Sequence, residues 1–191
     1  MLLFLCLAAC NNTGSNDTEK VAEQPVQEQP QVKNTFFPVT DFIKGQIAGI
    51  KNGGVNPQKI TKSGGHTDSV WLKIESLNSE MAEFLTPVID STGFAGLFRE
   101  TSFNDQTINA MTLTYDAVKP LPDSMPLQHW DVYVDPQSYT VKRVYMLKKL
   151  PADKILQLTW EANKSCKLVY ISKDPSGKDS VEKEITINWD F

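Results

Sequence analysis

The amino-acid sequence predicts an α+β fold, in which N-terminal amphipathic helices pack on a curved antiparallel β-meander of about five to seven strands. Apolar residues recur at helical spacing early in the folded part, and apolar and polar residues alternate through most of the second half. Turn residues separate the alternating segments at short intervals. Because the helical patterns precede the strand patterns rather than interleave with them, the sequence favours α+β over a parallel α/β fold.

The chain opens with an apolar segment, residues 2–9, that ends at Cys10. A helix needs about 20 apolar residues to cross a bilayer, so this segment has the length of a secretion signal instead. The motif "LAAC" at positions 7–10 resembles the lipobox of bacterial lipoproteins. The resemblance implies that residues 1–9 are a signal peptide, that cleavage occurs before Cys10, and that the Cys10 thiol is lipidated. Two or three acyl chains such as palmitate anchor a protein stably where one does not.

The segment after Cys10 is polar and is expected to be a disordered linker. Residues 11–34 contain no aromatic side chain, few aliphatic ones and two prolines. Such a segment buries too little apolar surface to offset the entropy of ordering it, and as a flexible chain it spans about 25–30 Å. The lipidated Cys10 and the linker make up residues 10–34, and the lipobox followed by such a linker resembles Gram-negative envelope lipoproteins. That resemblance implies an outer-membrane location, facing the periplasm or the cell surface.

The signal segment lacks one usual feature. Secretion signals carry positive charge before the apolar core, but no lysine or arginine precedes Lys20. We therefore expect the native start to lie upstream.

Residues 35–191 are expected to form a single α+β domain that begins with a helix. Val39, Ile43, Ile47 and Ile50 share one helical face, Pro38 suits the first turn, and the "NGG" sequence that follows indicates the end of the helix. Two alternating runs around a Gly-Gly turn then predict a hairpin.

A second helix is predicted after this hairpin. Its apolar stripe consists of Leu77, Met81, Phe84, Leu85 and Val88, with a proline at position 87 near the end. The segment "STGFAGLFRETSFND" fits either a short helix or a loop. From residue 107 onward, six alternating segments predict antiparallel strands joined by turns.

Composition excludes some functions. The net charge is −4 and the chain contains two arginines, Arg99 and Arg143, so a surface for nucleic acid is not expected. Cys166 lies in an alternating strand pattern, which predicts a buried thiol rather than a nucleophile. No zinc-type ligand spacing, phosphate-binding loop or nucleophile elbow occurs, so no metal, cofactor or catalytic residue is assigned.

One strand carries the strongest candidate for a site. His129 and Asp131 fall on one face of the predicted strand "LQHWDVYV", opposite Trp130, Val132 and a further valine, which are predicted to enter the core. The other histidine, His66, lies in a predicted turn.

The candidate binding face extends beyond this histidine pair. It comprises six side chains of two neighbouring predicted strands: His129, Asp131, Tyr133, Tyr139, Arg143 and Tyr145. Tyrosine, histidine and charged groups suit the binding of a peptide, a glycan or a lipid headgroup, although an ordinary half-exposed sheet face has a similar composition.

The sequence therefore predicts a lipid-anchored cell-envelope protein whose domain binds a ligand or partner and is not an enzyme. Its expected partners are the membrane, through the anchor, and an envelope protein, peptide or glycan. The alternative is a hydrolase that uses His129 and Asp131 with Arg143 or Tyr133. A third possibility is that the domain is an adhesion or inhibitor module.

Overall fold

The computed structural model describes residues 36–94 and 96–189, so Cys10, the signal segment and the linker lie outside the described residues. The described part is dominated by one antiparallel sheet of nine strands. The strands are β1 (Gln58–Ser63), β2 (His66–Trp71), β3 (Phe98–Asp105), β4 (Ala110–Ala117), β5 (Leu127–Val134), β6 (Val141–Leu150), β7 (Lys154–Glu161), β8 (Ser165–Lys173) and β9 (Asp179–Asn188).

The predicted fold class is wrong. Among the described residues, 48% lie in strands and 19% in helices, so the fold is β-dominated rather than α+β with N-terminal helices on a sheet. The predicted five to seven strands are also too few. The segment 91–105, predicted as a short helix or a loop, begins with a short helix at Ser91–Phe94 but continues as β3. The early hairpin β1–β2 belongs to the same sheet as the later strands.

The strand order is β2-β1-β9-β8-β7-β6-β5-β4-β3. Strands β3 to β9 follow one another as a meander, and the β1–β2 hairpin extends it beyond β9. Gln58 of β1 pairs with Asn188, and Ser63 pairs with Lys183. The two edges of the sheet are therefore β2 and β3.

The first predicted helix is present as α1 (Val39–Gly53), and Val39, Ile43, Ile47 and Ile50 are buried as their spacing predicts. The helix ends where Gly54 adopts a left-handed conformation, with φ of 66°, which glycine tolerates without a steric cost. The buried side chains of α1 belong to the same apolar core as the inward side chains of the sheet.

The second predicted helix is wrong in its length. The segment forms a 3₁₀ turn (Ile74–Ser76) and three short helices, α2 (Leu77–Glu80), α3 (Ala82–Leu85) and α4 (Ser91–Phe94). Leu77, Met81 and Phe84 are buried, but Val88 lies beyond α3 and is 53% exposed. The apolar spacing thus identifies three buried core residues, but it is wrong for Val88 and does not predict that the helix is interrupted.

An aromatic cluster holds the inner side of β4 and β5. The Trp130 ring stacks on Tyr115 at 4.5 Å between ring centroids and meets Phe98 at 4.7 Å. Trp130 and Val132 are completely buried, as the alternation in β5 predicts. Because side chains alternate along a strand, the burial of Trp130 places His129 and Asp131 on the outer face.

A lysine also lies in the interior. Lys148 of β6 is 2% exposed, and its Nζ donates to Glu83 Oε2 at 2.8 Å and to the Glu83 carbonyl oxygen. Burial lowers the pKa of Lys148, while the bonds to Glu83 favour its charged form. This ion pair connects α3 to the sheet.

Candidate functional site

The candidate site occupies the outer face of β4, β5 and β6. His129, Asp131 and Tyr133 alternate with the buried residues of β5, and Asp131 and Tyr133 lie opposite Tyr145 and Arg143 of β6. Strand β4 adds two side chains, because Thr114 pairs with Asp131 and Asp116 with His129. We call these seven side chains the outer cluster: Thr114, Asp116, His129, Asp131, Tyr133, Arg143 and Tyr145.

His129 bridges two carboxylates. Its Nδ1 lies 2.8 Å from Asp116 Oδ1, and its Nε2 lies 3.0 Å from Asp131 Oδ2. An ionised carboxylate only accepts hydrogen bonds, so satisfying both contacts requires both ring nitrogens to donate, which is the protonated form of histidine. The hydrogen bond to Asp131 raises the pKa of His129, burial opposes it, and Asp116 adds to the rise.

Asp131 is the centre of these contacts and is only 13% exposed at its side chain. Besides His129, it accepts hydrogen bonds from Thr114 Oγ1 at 2.7 Å and from the Tyr133 hydroxyl at 3.5 Å. Burial alone would raise the pKa of Asp131, but the bonds from His129 and Thr114 outweigh it and keep the pKa below its usual value. The partly buried carboxylate is thus held ionised.

Arg143 and the two tyrosines form the rest of the outer cluster. The Arg143 guanidinium carbon lies 4.2 Å from the centre of the Tyr133 ring, a cation–π contact. Burial and the nearby negative charge of Asp131 raise the pKa of both Tyr133 and Tyr145, so both hydroxyls stay protonated at neutral pH. The Tyr145 ring lies 6.3 Å from the His129 ring.

The structure does not bring every predicted site residue together. Tyr139 lies in the turn between β5 and β6, has a φ of 57° and is 77% exposed, so it is not in the row of Arg143 and Tyr145.

The other histidine, His66, is the first residue of the exposed edge strand β2. Cys166 is buried, and burial raises the pKa of its thiol, which makes it unreactive. Cys10 lies outside the described residues.

A groove adjoins the outer cluster at one end of the sheet. It has a volume of about 310 Å³, and Tyr133 and Arg143 form part of its wall. The β3–β4 turn contributes Ile108, and the β7–β8 turn contributes Lys164. We call it the end groove.

Sequence reasoning missed Thr114, Asp116 and the groove residues outside the predicted face. Polar and apolar residues alternate in the sequence "TLTYDA", so Thr114 and Asp116 fall on the face opposite Tyr115 once β4 is a strand. Their contact with Asp131 and His129 depends on the β4–β5 register, which the alternation does not specify.

The described residues contain no group of three or more His, Cys, Asp or Glu side chains arranged to hold a metal ion. In the same part of the chain, no helix combines the length and the apolar character needed to span a bilayer. Comparison of the chain with protein-family models, curated proteins and solved structures gives no significant match.

The contacts of His129 predict a pH-dependent contribution to stability. A histidine whose folded pKa is raised stabilises the fold fully below its unfolded pKa of about 6.5, and this stabilisation is lost as the pH rises through the folded value. Asp131, with its lowered pKa, contributes above about pH 3.9 and loses its contribution as the pH falls through its folded value. The combined contribution of His129 and Asp131 to the free energy of unfolding is therefore greatest between about pH 4 and 6.5.

We expect His129→Gln to lower the free energy of unfolding by about 1–2 kcal/mol near the middle of this range, because charge-assisted hydrogen bonds are lost. The difference from wild type should shrink as the pH rises through the raised folded pKa of His129, because wild-type His129 then loses its charge too. Urea unfolding at a series of pH values measures this, with His66→Gln on exposed β2 as the matched histidine control. A wild-type profile parallel to that of His129→Gln at every pH would contradict this role of His129.

Proposed function

We propose that this protein is a lipid-anchored component of a Gram-negative cell envelope whose domain binds a ligand or partner through the outer cluster and the end groove. Cys10 carries the lipid, and residues 11–34 connect it to the binding domain. The most suitable location is the outer membrane. The expected partner is an envelope protein, a peptide or a glycan, and the membrane is contacted through the acyl chains.

The hydrogen bonds of His129 are the observation that favours a binding function over a catalytic one. A general base must offer a lone pair to the proton that it removes, and it must lie within hydrogen-bond reach of the nucleophile. The carboxylates of Asp116 and Asp131 face both ring nitrogens at hydrogen-bond distance. The charge of His129 therefore joins two strands, and the histidine has no nitrogen left for the hydrolase chemistry.

The composition of the remaining surface supports recognition. Tyrosine and arginine are enriched where proteins bind partners, because each combines a large contact area with hydrogen-bond donors. Tyr133 and Arg143 pack against each other beside the groove, so their positions are fixed before a ligand arrives. Preorganised side chains lose less entropy on binding.

The lipid anchor is supported by the sequence. The apolar segment ends in "LAAC", and a polar segment without aromatic residues follows. Acyl chains contribute about 0.8 kcal/mol for each buried methylene, so two or three chains hold the protein at the membrane while the linker leaves the domain free to meet a partner.

The anchor predicts a defined modification. Mass spectrometry of the detergent-extracted protein should find Cys10 as the first residue, with a diacylglycerol on its thiol. Cys10→Ser should leave the signal segment attached and abolish the lipid mass, whereas Cys166→Ala should be processed normally. A bare Cys10 thiol, or residues 1–9 still attached in the wild-type protein, would contradict the anchor.

The binding function predicts which outer-cluster variants lose activity. In a deletion strain complemented with the full chain, Tyr133→Ala and Arg143→Ala should fail to restore the envelope property that the deletion impairs, because they remove the contact surface. His129→Gln should restore at least half of it, because both ring nitrogens of His129 bond to carboxylates of the protein itself rather than offering a contact to the partner. Gln157→Ala, on the outer face of the neighbouring strand β7, is the matched control and should behave as wild type.

Thermal unfolding of each variant separates loss of function from loss of fold. Complementation that is lost with His129→Gln but kept with Tyr133→Ala and Arg143→Ala, all three being folded, would favour the hydrolase over the binding domain.

A further inference from the structure

We propose that the end groove binds a phosphate ester that also carries a hydroxyl or ammonium group. This inference rests on the proposed function, because it names the ligand class of the same surface. The groove lies where the turns β3–β4, β5–β6 and β7–β8 meet at one end of the sheet. Its volume of about 310 Å³ is at the lower limit for small-molecule sites, so it suits a headgroup-sized ligand rather than a long chain.

Positive charge is concentrated in this groove. Three cationic side chains line it, Lys142, Arg143 and Lys164, against one carboxylate, Glu161. The chain as a whole has a net charge of −4, so this balance is the reverse of the average surface. Focused positive charge in a concave site attracts anions and raises their local concentration.

These cations are available to a ligand. No ion pair within residues 36–94 and 96–189 involves Lys142, Arg143 or Lys164. Lys142 Nζ donates to the Asn109 carbonyl oxygen at 3.3 Å, which holds the ammonium near the β3–β4 turn. A carbonyl does not neutralise the ammonium. Asp135 attracts Lys142, and Glu161 lies opposite Arg143 in the β6–β7 register, so the groove keeps an excess of positive charge that a bound anion can balance.

The Arg143–Tyr133 contact orients the anion-binding group. The guanidinium carbon lies 4.2 Å from the ring centre, and an arginine that stacks on an aromatic face keeps in-plane N–H groups for hydrogen bonds. Two such N–H groups match the oxygens of a phosphate, and lysines at the same site act as point charges. The groove therefore favours phosphate over a neutral ligand.

The other residues that line the end groove indicate which groups the ligand carries besides phosphate. Glu161 repels a simple anion but accepts a hydrogen bond from a hydroxyl or ammonium group on the same molecule. Ile108 is 42% exposed and presents an apolar wall. A glycerol phosphate or ethanolamine phosphate has the required charge, donor and short carbon chain, and it occurs both as a free molecule and as a lipid headgroup.

Calorimetric titration of the full chain in non-ionic detergent tests this proposal, with glycerol 3-phosphate as the free probe and short-chain phosphatidylglycerol in the micelle as the lipid probe. We expect saturable binding of at least one probe and an affinity about ten-fold or more lower for Arg143→Met, because a charge-assisted, two-pronged contact is lost. Binding of the free probe alone would indicate a soluble ligand, and binding of the lipid probe alone would indicate a headgroup.

Arg99→Met is the matched control, because Arg99 is the other arginine of the chain and lies on edge strand β3 outside the groove. It should change the affinity by less than two-fold. No saturable binding of either probe, or equal losses with Arg143→Met and Arg99→Met, would overturn the proposal. If the phosphate probes fail while Tyr133→Ala and Arg143→Ala still fail to complement, the ligand class is wrong but the proposed binding function stands.

Discussion

The position of Trp130 in the core is the constraint on which the candidate site depends. Its ring is completely buried and packs against Tyr115, Phe98, Phe36 and Phe94. Since side chains alternate along a strand, a slip of β5 by one residue would bring His129 and Asp131 into this aromatic cluster. Burying an imidazolium and a carboxylate there costs far more than any outer-face contact returns. The core thus sets which side chains are presented outward.

On the outer face, a single positive charge organises the surroundings. His129 lies between a carboxylate of β4 and a carboxylate of its own strand, at 2.8 and 3.0 Å. Without this charge, two carboxylates on adjacent strands would repel each other. With it, Asp131 also holds Thr114 and Tyr133, and Tyr133 supports Arg143 at the groove. The histidine is therefore a connecting element between the packed sheet and the surface that we propose binds a ligand.

Local patterns in the sequence predict much of this arrangement. The period of α1 and the alternation in β5 correctly identify the buried Ile43 and Trp130, and the same alternation puts His129 and Asp131 on one face. The fold class was not predictable in this way, because the pairing of β1 with β9 joins segments about 125 residues apart and depends on no local signal.

Lys148 occupies an inward position although it is charged, and its partner Glu83 is separated from it by 65 residues in sequence. Asp116 joins the site only through the β4–β5 register.

We infer that His129 is a charged link between two carboxylates and not a proton acceptor. Nitrogen-15 NMR of the two imidazole nitrogens of His129, assigned with a His66→Gln variant, measures this directly at about pH 7, where an ordinary histidine is mostly neutral. We expect that both nitrogens carry a proton and that each shows a hydrogen bond to a carboxylate, as this role of His129 requires. A nitrogen with a free lone pair in the folded protein at that pH would contradict it.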